Sequence, residues 1–94
     1  MLRITTQSDT QLLTFRLEGR LAGPWVTELR DCWQSKLSCR PPFVHIDLRS
    51  VTFVDIAGKK LLADMVRQGA RLFAHDCQMK AVVAEIETAV GESS

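Results

Sequence analysis

The segment from Phe43 to Val66 constrains the fold more than any other part of this chain. Its apolar residues first alternate, as in a strand, and after Asp55 they recur about every 3.6 positions, as in a helix. An acidic residue at such a junction can cap the helix, and the residues after it lie beside unpaired backbone N–H groups. Partners and ligands of α/β domains usually meet the fold beyond the carboxyl end of a strand, so this junction is the first place to expect function.

The composition indicates one globular domain, because 46% of the 94 residues are hydrophobic and 24% are charged. A net charge of +1 does not favour nucleic acid or an anionic membrane as the main partner, and the arginines are spread along the sequence without interleaved aromatic residues, so we expect no nucleic-acid partner. The N-terminus lacks the apolar segment of a signal peptide, and no apolar run approaches the roughly 20 residues of a membrane span. Three cysteines without a disulfide-framework pattern favour reduced thiols, so we expect a cytoplasmic protein.

The first part of the chain predicts a hairpin and a helix. Two apolar-alternating runs flank a polar turn at residues 7–10, and Gly19 is expected to end the second strand. Residues 21–23 then form a short connection. Pro24 suits the first position of a helix, whose apolar stripe includes Trp33 and Leu37, and the helix cannot continue through Pro41-Pro42.

The second part predicts two strands and two helices. The strand before Asp55 is followed by a helix that Gly69 can terminate, residues 72–74 form a short strand, and Asp76 can cap the last helix. The order is therefore β-β-α-β-α-β-α. Strands joined by helical crossovers should be parallel and the first pair antiparallel, which gives an α/β fold: a four-stranded mixed sheet with the helices packed on one face. The expected domain spans residues 1–90, with a frayed C-terminal tail at 91–94.

No catalytic or metal site can be assembled from the sequence. Nucleotide-binding loops, the hydrolase elbow and the zinc-protease motif are all missing. His45 and His75 could form a metal or general-base pair, but two partly exposed histidines without a ligand cluster are the simpler interpretation. Cys77 could be activated at a helix N-terminus, although the adjacent Asp76 opposes that effect. We therefore expect no enzyme, no cofactor and no metal.

Lys59 and Lys60 distinguish the Asp55 junction from an ordinary helix start. Both fall in the first turn of the helix, where cations oppose the helix dipole, so helix stability does not explain them. They could instead meet an acidic partner or anion. Trp25 lies near the start of the first helix, on the same side of the sheet as the Asp55 junction, and is either a core residue or an interaction anchor.

Residues 44–58, VHIDLRSVTFVDIAG, followed by Leu61-Leu62, resemble the central signature of STAS domains. That signature is an apolar strand, D-L-S-x-V-x-F-[apolar]-D-[ST]-[ST]-G and a helix, and it occurs in anti-sigma-factor antagonists and in the cytoplasmic tails of sulfate transporters. The element order and length are also similar, and the segment from Gly69 to Leu72 resembles the family's usual approach to its next strand. The resemblance covers nearly the whole chain and implies a bacterial protein-binding module rather than an enzyme.

The chain departs from the family at the position that normally carries regulation. In the antagonists that it resembles, a partner anti-sigma kinase phosphorylates a Ser or Thr directly after the junction Asp, and the unphosphorylated form binds. Here that position is Ile56 and the next is Ala57, neither of which can be phosphorylated. The nearest hydroxyls, on Thr52 and Ser50, are only weak candidates. The resemblance thus implies recognition without the usual switch.

The implied contact surface, called the junction surface below, consists of Asp55, Ile56, Ala57, Gly58, Lys59 and Lys60 together with Ala22, Gly23 and Trp25. Its partner would be an anti-sigma kinase in a partner-switching system. Alternatively, the domain is a STAS subunit of a bacterial phospholipid ABC transporter and contacts the ATPase. A nucleotide-binding or small-molecule-binding role is a third possibility, and a homodimer is compatible with each.

Overall fold

The computed structural model describes residues 2–35 and 43–93, with side chains through Gly91. The elements follow one another in the order β1 (Leu2–Ser8), β2 (Leu12–Leu21), α1 (Pro24–Ser35), β3 (Phe43–Val54), α2 (Ile56–Arg67), β4 (Ala70–Phe73) and α3 (Cys77–Ser93). This is the predicted β-β-α-β-α-β-α order. None of these helices combines the length and apolar character needed to cross a membrane.

The sheet has the predicted mixed topology. Its strands lie in the order β1-β2-β3-β4, with β1 antiparallel to β2 and with β2, β3 and β4 mutually parallel. The connections β2–α1–β3 and β3–α2–β4 each join two neighbouring parallel strands through a helix. Both connections step across the sheet in the same direction. Because such crossovers are right-handed, α1 and α2 lie on the same face of the sheet. The starts of α1 and α2 consequently meet at the edge where β2 and β3 end.

The core lies between the sheet and this helical layer. Leu13, Phe15 and Leu17 of β2 are fully buried, as are Ile46 and Leu48 of β3. Helix α1 contributes Trp33, whose ring centroid is 5.8 Å from that of Phe15. Helix α2 contributes Leu61, Leu62 and Met65, and α3 contributes Met79 and Ile86. The helical stripes predicted from the sequence therefore face the core.

The opposite side of the sheet carries the alternate residues and has no helix over it among the described residues. We call it the open sheet face. Its side chains are mostly polar, and they include Arg3, Thr14, Arg16, His45, Asp47, Arg49, Arg71 and Phe73.

Three strand boundaries differ from the sequence predictions. β1 continues through Gln7 and Ser8, which pair with Thr14 and Leu13, so the turn is shorter than expected. β2 does not end at Gly19, whose φ of 108° lies beside a register irregularity and lets the strand continue to Leu21. β4 begins at Ala70, opposite Val44, rather than at residue 72. Each error arose because pairing with a neighbour extended a strand beyond its local apolar pattern.

The helix caps agree better with the sequence. Asp55 and Asp76 cap α2 and α3, respectively, and Gly69 follows α2 with a φ of 104°. Helix α3 continues to Ser93, past the domain end predicted at residue 90. Leu37, Cys39 and Pro41-Pro42 lie outside the described residues.

Candidate functional site

Asp55 connects three elements at the junction. Its carboxylate oxygen Oδ1 accepts a hydrogen bond from the Gly58 N–H at 2.7 Å, which caps α2. Oδ2 accepts a bond from the Gly23 N–H at 3.0 Å, in the turn before α1. The Asp55 N–H donates to the Leu21 carbonyl at 3.1 Å, at the end of β2. One side chain thus fixes the start of α2 against the β2–α1 connection.

These two bonds also explain the electrostatics of Asp55. Hydrogen bonds from the backbone N–H groups of Gly58 and then Gly23 hold the pKa of this carboxyl below its ordinary value. The group is therefore ionised at neutral pH, and both oxygens of the carboxylate accept hydrogen bonds from within the domain. This accounts for an acidic residue at the junction without any catalytic role.

Gly58 is required by the close approach of α2 to the sheet. A Cβ placed there would lie 2.9 Å from the Leu21 carbonyl oxygen and 2.9 Å from Cγ1 of Val54. The Leu21 carbonyl cannot simply move away, because it accepts the hydrogen bond from Asp55. Asp55 and Gly58 therefore form one structural unit, in which the carboxylate holds the helix and the glycine permits its distance from β2.

Ile56 and Ala57 are displayed beside this unit. Ile56, the first residue of α2, is 73% exposed, the largest exposed fraction among the described large apolar side chains. Ala57 is also exposed, and Phe53, at the end of β3, is 42% exposed. Trp25 is half-buried and packs against the core. The apolar part of the junction surface is centred on Ile56.

The two lysines of the first α2 turn have different environments. Lys59 Nζ lies 3.3 Å from Glu85 Oε2 of α3, so its charge is paired across the two helices. Lys60 is exposed and forms no ion pair with a described residue. An open groove of about 460 Å³ runs from Ile56 along α2 and α3, past both lysines. Sequence reasoning missed Glu85, because nothing local indicates which residue of α3 would face Lys59.

The other candidates do not form a shared site with the junction. His45 lies on the open sheet face against Phe73, whereas His75 is exposed in the loop before α3. Within residues 2–35 and 43–93, no three His, Cys, Asp or Glu side chains come together as metal ligands. Ser50 and Thr52 both lie in β3, and the Thr52 hydroxyl donates to the Gly19 carbonyl at 3.2 Å. Cys77 is exposed at the start of α3.

Solved structures share this architecture. An anti-sigma factor antagonist from Mycobacterium paratuberculosis superposes with a TM-score of 0.79 at 16% identity, over 95% of this chain and 82% of that chain. The unphosphorylated anti-sigma factor antagonist SpoIIAA gives 0.68 at 16% identity, over 85% and 80%. A STAS domain of an antisigma-factor antagonist from Rhodobacter sphaeroides gives 0.60 at 22% identity, over 76% and 84%. The chain has the STAS fold. No family model matches the sequence, and no curated protein matches it significantly.

The STAS fold confirms the architecture expected from the junction sequence. The structure explains two residues of that signature directly: Asp55 caps α2, and Gly58 leaves room for the close approach of α2 to β2. The sequence could not indicate that Asp55 also binds the Gly23 N–H, since the two residues are far apart in the chain. The exposure of Phe53 was missed as well, because the irregular pairing near the end of β3 breaks the alternation.

Proposed function

We propose that this protein is a regulatory protein-interaction module of the anti-sigma-factor-antagonist type, which works in the cytoplasm through the junction surface. The solved anti-sigma factor antagonist structures support the class of function through their shared fold. The partner is then a protein of the kinase-like anti-sigma type. No chemistry is assigned to the module itself.

One observation carries the proposal: an exposed apolar side chain stands on a rigid support. Ile56 is 73% exposed, whereas the residue before it is fixed by hydrogen bonds to two other elements. Because the backbone beside Ile56 is already fixed, a partner that docks there causes little further loss of conformational entropy, which favours association. An unsupported apolar residue on a loop would lose part of its binding free energy to that ordering.

Binding through this surface would be independent of phosphorylation at residue 56. Ile56 has no hydroxyl, and its side chain occupies the place where a phosphate would stand at the start of α2. A phosphate at a helix N-terminus adds about −1.5 to −2 charges, which a partner must accommodate. With isoleucine there, the module is held in the state without that charge.

The test uses the protein and its Ile56→Asp variant as baits for affinity capture from the source cells. Aspartate adds one negative charge at a position where the helix dipole favours it, so the fold should remain intact. We expect the native bait to retain a kinase-like protein and the variant to lose it. Incubation of the captured kinase with ATP should leave residue 56 of the native protein without phosphate.

Gln34→Asp is the matched control, since Gln34 is exposed near the opposite end of α1. This control should capture the same partner as the native protein. Equal capture by Ile56→Asp would contradict the assigned surface. Recovery of an ATPase together with a permease would instead identify the module as a transporter subunit.

A further inference from the structure

The fold gathers arginines that are dispersed in the sequence. Five of them belong to the strands and are exposed on the open sheet face: Arg3, Arg16, Arg20, Arg49 and Arg71. The carboxylates on this face are those of Glu18 and Asp47, so five positive groups against two negative ones give a net charge of +3. The other described residues carry five Lys or Arg and eight Asp or Glu side chains, so the rest of the described surface is net negative. This asymmetry selects an anionic ligand for the open sheet face.

The acidic groups do not neutralise the whole face. Asp47 is bound by Arg49 through two side-chain hydrogen bonds, of 3.0 and 2.8 Å. Glu18 lies 3.6 Å from Arg16. Arg3 and Arg71 form no ion pair with a described residue, and they lie on opposite edge strands of the sheet. A ligand crossing the strands would therefore meet a free cation at each side.

Exposed aromatic rings occupy the same face. Three of the four phenylalanines are partly exposed: Phe43 by 57%, and Phe53 and Phe73 by 42% each. Strand alternation places Phe43 and Phe73 on the open sheet face, and the Arg20 guanidinium lies 5.1 Å from the centre of the Phe53 ring. The His45 ring packs against Phe73 with centroids 4.7 Å apart. Phe73 borders an open depression of about 410 Å³, whose other lining residues are Thr14, His45, Asp47, Arg49 and Ala74.

We propose that the open sheet face binds single-stranded nucleic acid, with a base stacking on Phe73 and phosphates meeting the arginines. Four-stranded sheets that bind single strands use exposed rings for the bases and cations for the backbone. A protein interface would instead need a contiguous apolar centre depleted in charge. Here charged side chains separate the rings, since Arg16, Asp47 and Arg49 stand among them. The sequence had not favoured nucleic acid because its net charge conceals this distribution.

The test is fluorescence anisotropy with a labelled single-stranded oligonucleotide of about 12 nucleotides at about 50 mM salt, alongside the same sequence as a duplex. We expect the single strand to bind and the duplex to bind at least about tenfold more weakly, because paired bases cannot stack on the sheet. For each phosphate that the protein contacts, the logarithm of the association constant should fall by about 0.7 when the salt concentration rises tenfold. Equal binding of the two forms, or the absence of binding, would overturn the proposal.

Matched variants separate the surface from bulk charge. Arg71→Gln should reduce the salt dependence of binding by the equivalent of about one phosphate contact. Arg30→Gln is the control, because it removes the same charge from the exposed side of α1, and it should leave the affinity within about twofold of the native value. Phe73→Leu keeps an apolar side chain without the stacking ring and should weaken binding about fivefold or more. Circular dichroism verifies that each variant is folded.

Equal losses from Arg71→Gln and Arg30→Gln would show attraction by overall charge and would contradict a site on the sheet. Retained affinity in Phe73→Leu would contradict stacking. Ile56→Asp serves a separate purpose, because it should leave oligonucleotide binding within about twofold. The oligonucleotide proposal and the junction proposal can therefore fail independently.

Discussion

Replacing Gly58 by alanine tests the geometry on which the junction depends. The new Cβ would lie 2.9 Å from the Leu21 carbonyl oxygen, 2.9 Å from Val54 Cγ1 and 3.1 Å from Leu21 Cγ. Two of these atoms belong to side chains that are buried in the core, and the third is a backbone oxygen held by Asp55. Relief therefore requires α2 to move away from β2, which would stretch the cap as well.

The two opposing contributions to this substitution can be compared. Alanine is favoured over glycine in a helix by up to about 1 kcal/mol. Overpacking of a well-filled site typically costs about 1–3 kcal/mol. We expect a net loss of about 1–2 kcal/mol in the free energy of unfolding, which lowers Tm by roughly 5–15 °C for a domain of this size.

Gly91→Ala is the matched control, because a Cβ at Gly91 in α3 would meet nothing within 4 Å. Urea and thermal unfolding can be followed by the fluorescence of Trp33, which is buried against Phe15. Gly58→Ala should unfold earlier than the native protein, and Gly91→Ala should match or exceed it. If the two alanine variants were equally stable, the close approach at Gly58 would not limit the packing.

Further predictions concern the residues around Gly58. The hydrogen bonds that lower the folded pKa of Asp55 contribute stability above the ordinary carboxyl range near pH 4, and that stability is lost as the pH falls through the folded pKa. Between about pH 5 and pH 2, the free energy of unfolding from denaturant titrations should therefore fall less for Asp55→Asn than for the native protein. If the free energies of the two proteins fell in parallel with pH, the cap would not contribute this stability. Ile56→Ser should change the free energy of unfolding by less than about 0.5 kcal/mol, since the side chain is mostly exposed. A larger loss in urea unfolding would mean that Ile56 belongs to the core. A double-mutant cycle of Lys59→Gln and Glu85→Gln should give a coupling below about 1 kcal/mol, because both groups are at the surface; a larger value would make the pair a main link between α2 and α3.

The sequence predicts the elements that local chemistry specifies. Asp55 and Asp76 are good N-caps wherever they precede a helix, and Gly69 suits a helix end with positive φ. Strand orientation followed from the alternation of strands and helices, because a helical crossover joins parallel strands. These inferences need no information about residues that are distant in the chain.

Other features depend on distant contacts and could not be predicted. Gly19 continues β2 because β1 and β3 pair with it on both sides. The bond from Gly23 to Asp55 and the pair of Lys59 with Glu85 each join separate elements. The arginines of the open sheet face are dispersed in the sequence, and only the strand order brings Arg3, Arg16 and Arg71 onto one face of the same sheet.

The most direct measurement of the central proposal is a map of backbone amide chemical shifts as the captured protein partner is added. The proposal predicts that the largest changes fall on residues 22–25 and 55–60, centred on Ile56. A parallel titration of Ile56→Asp should show none of these changes at the same partner concentration. Changes confined to the open sheet face, or to the exposed side of α3, would contradict the junction as the docking surface.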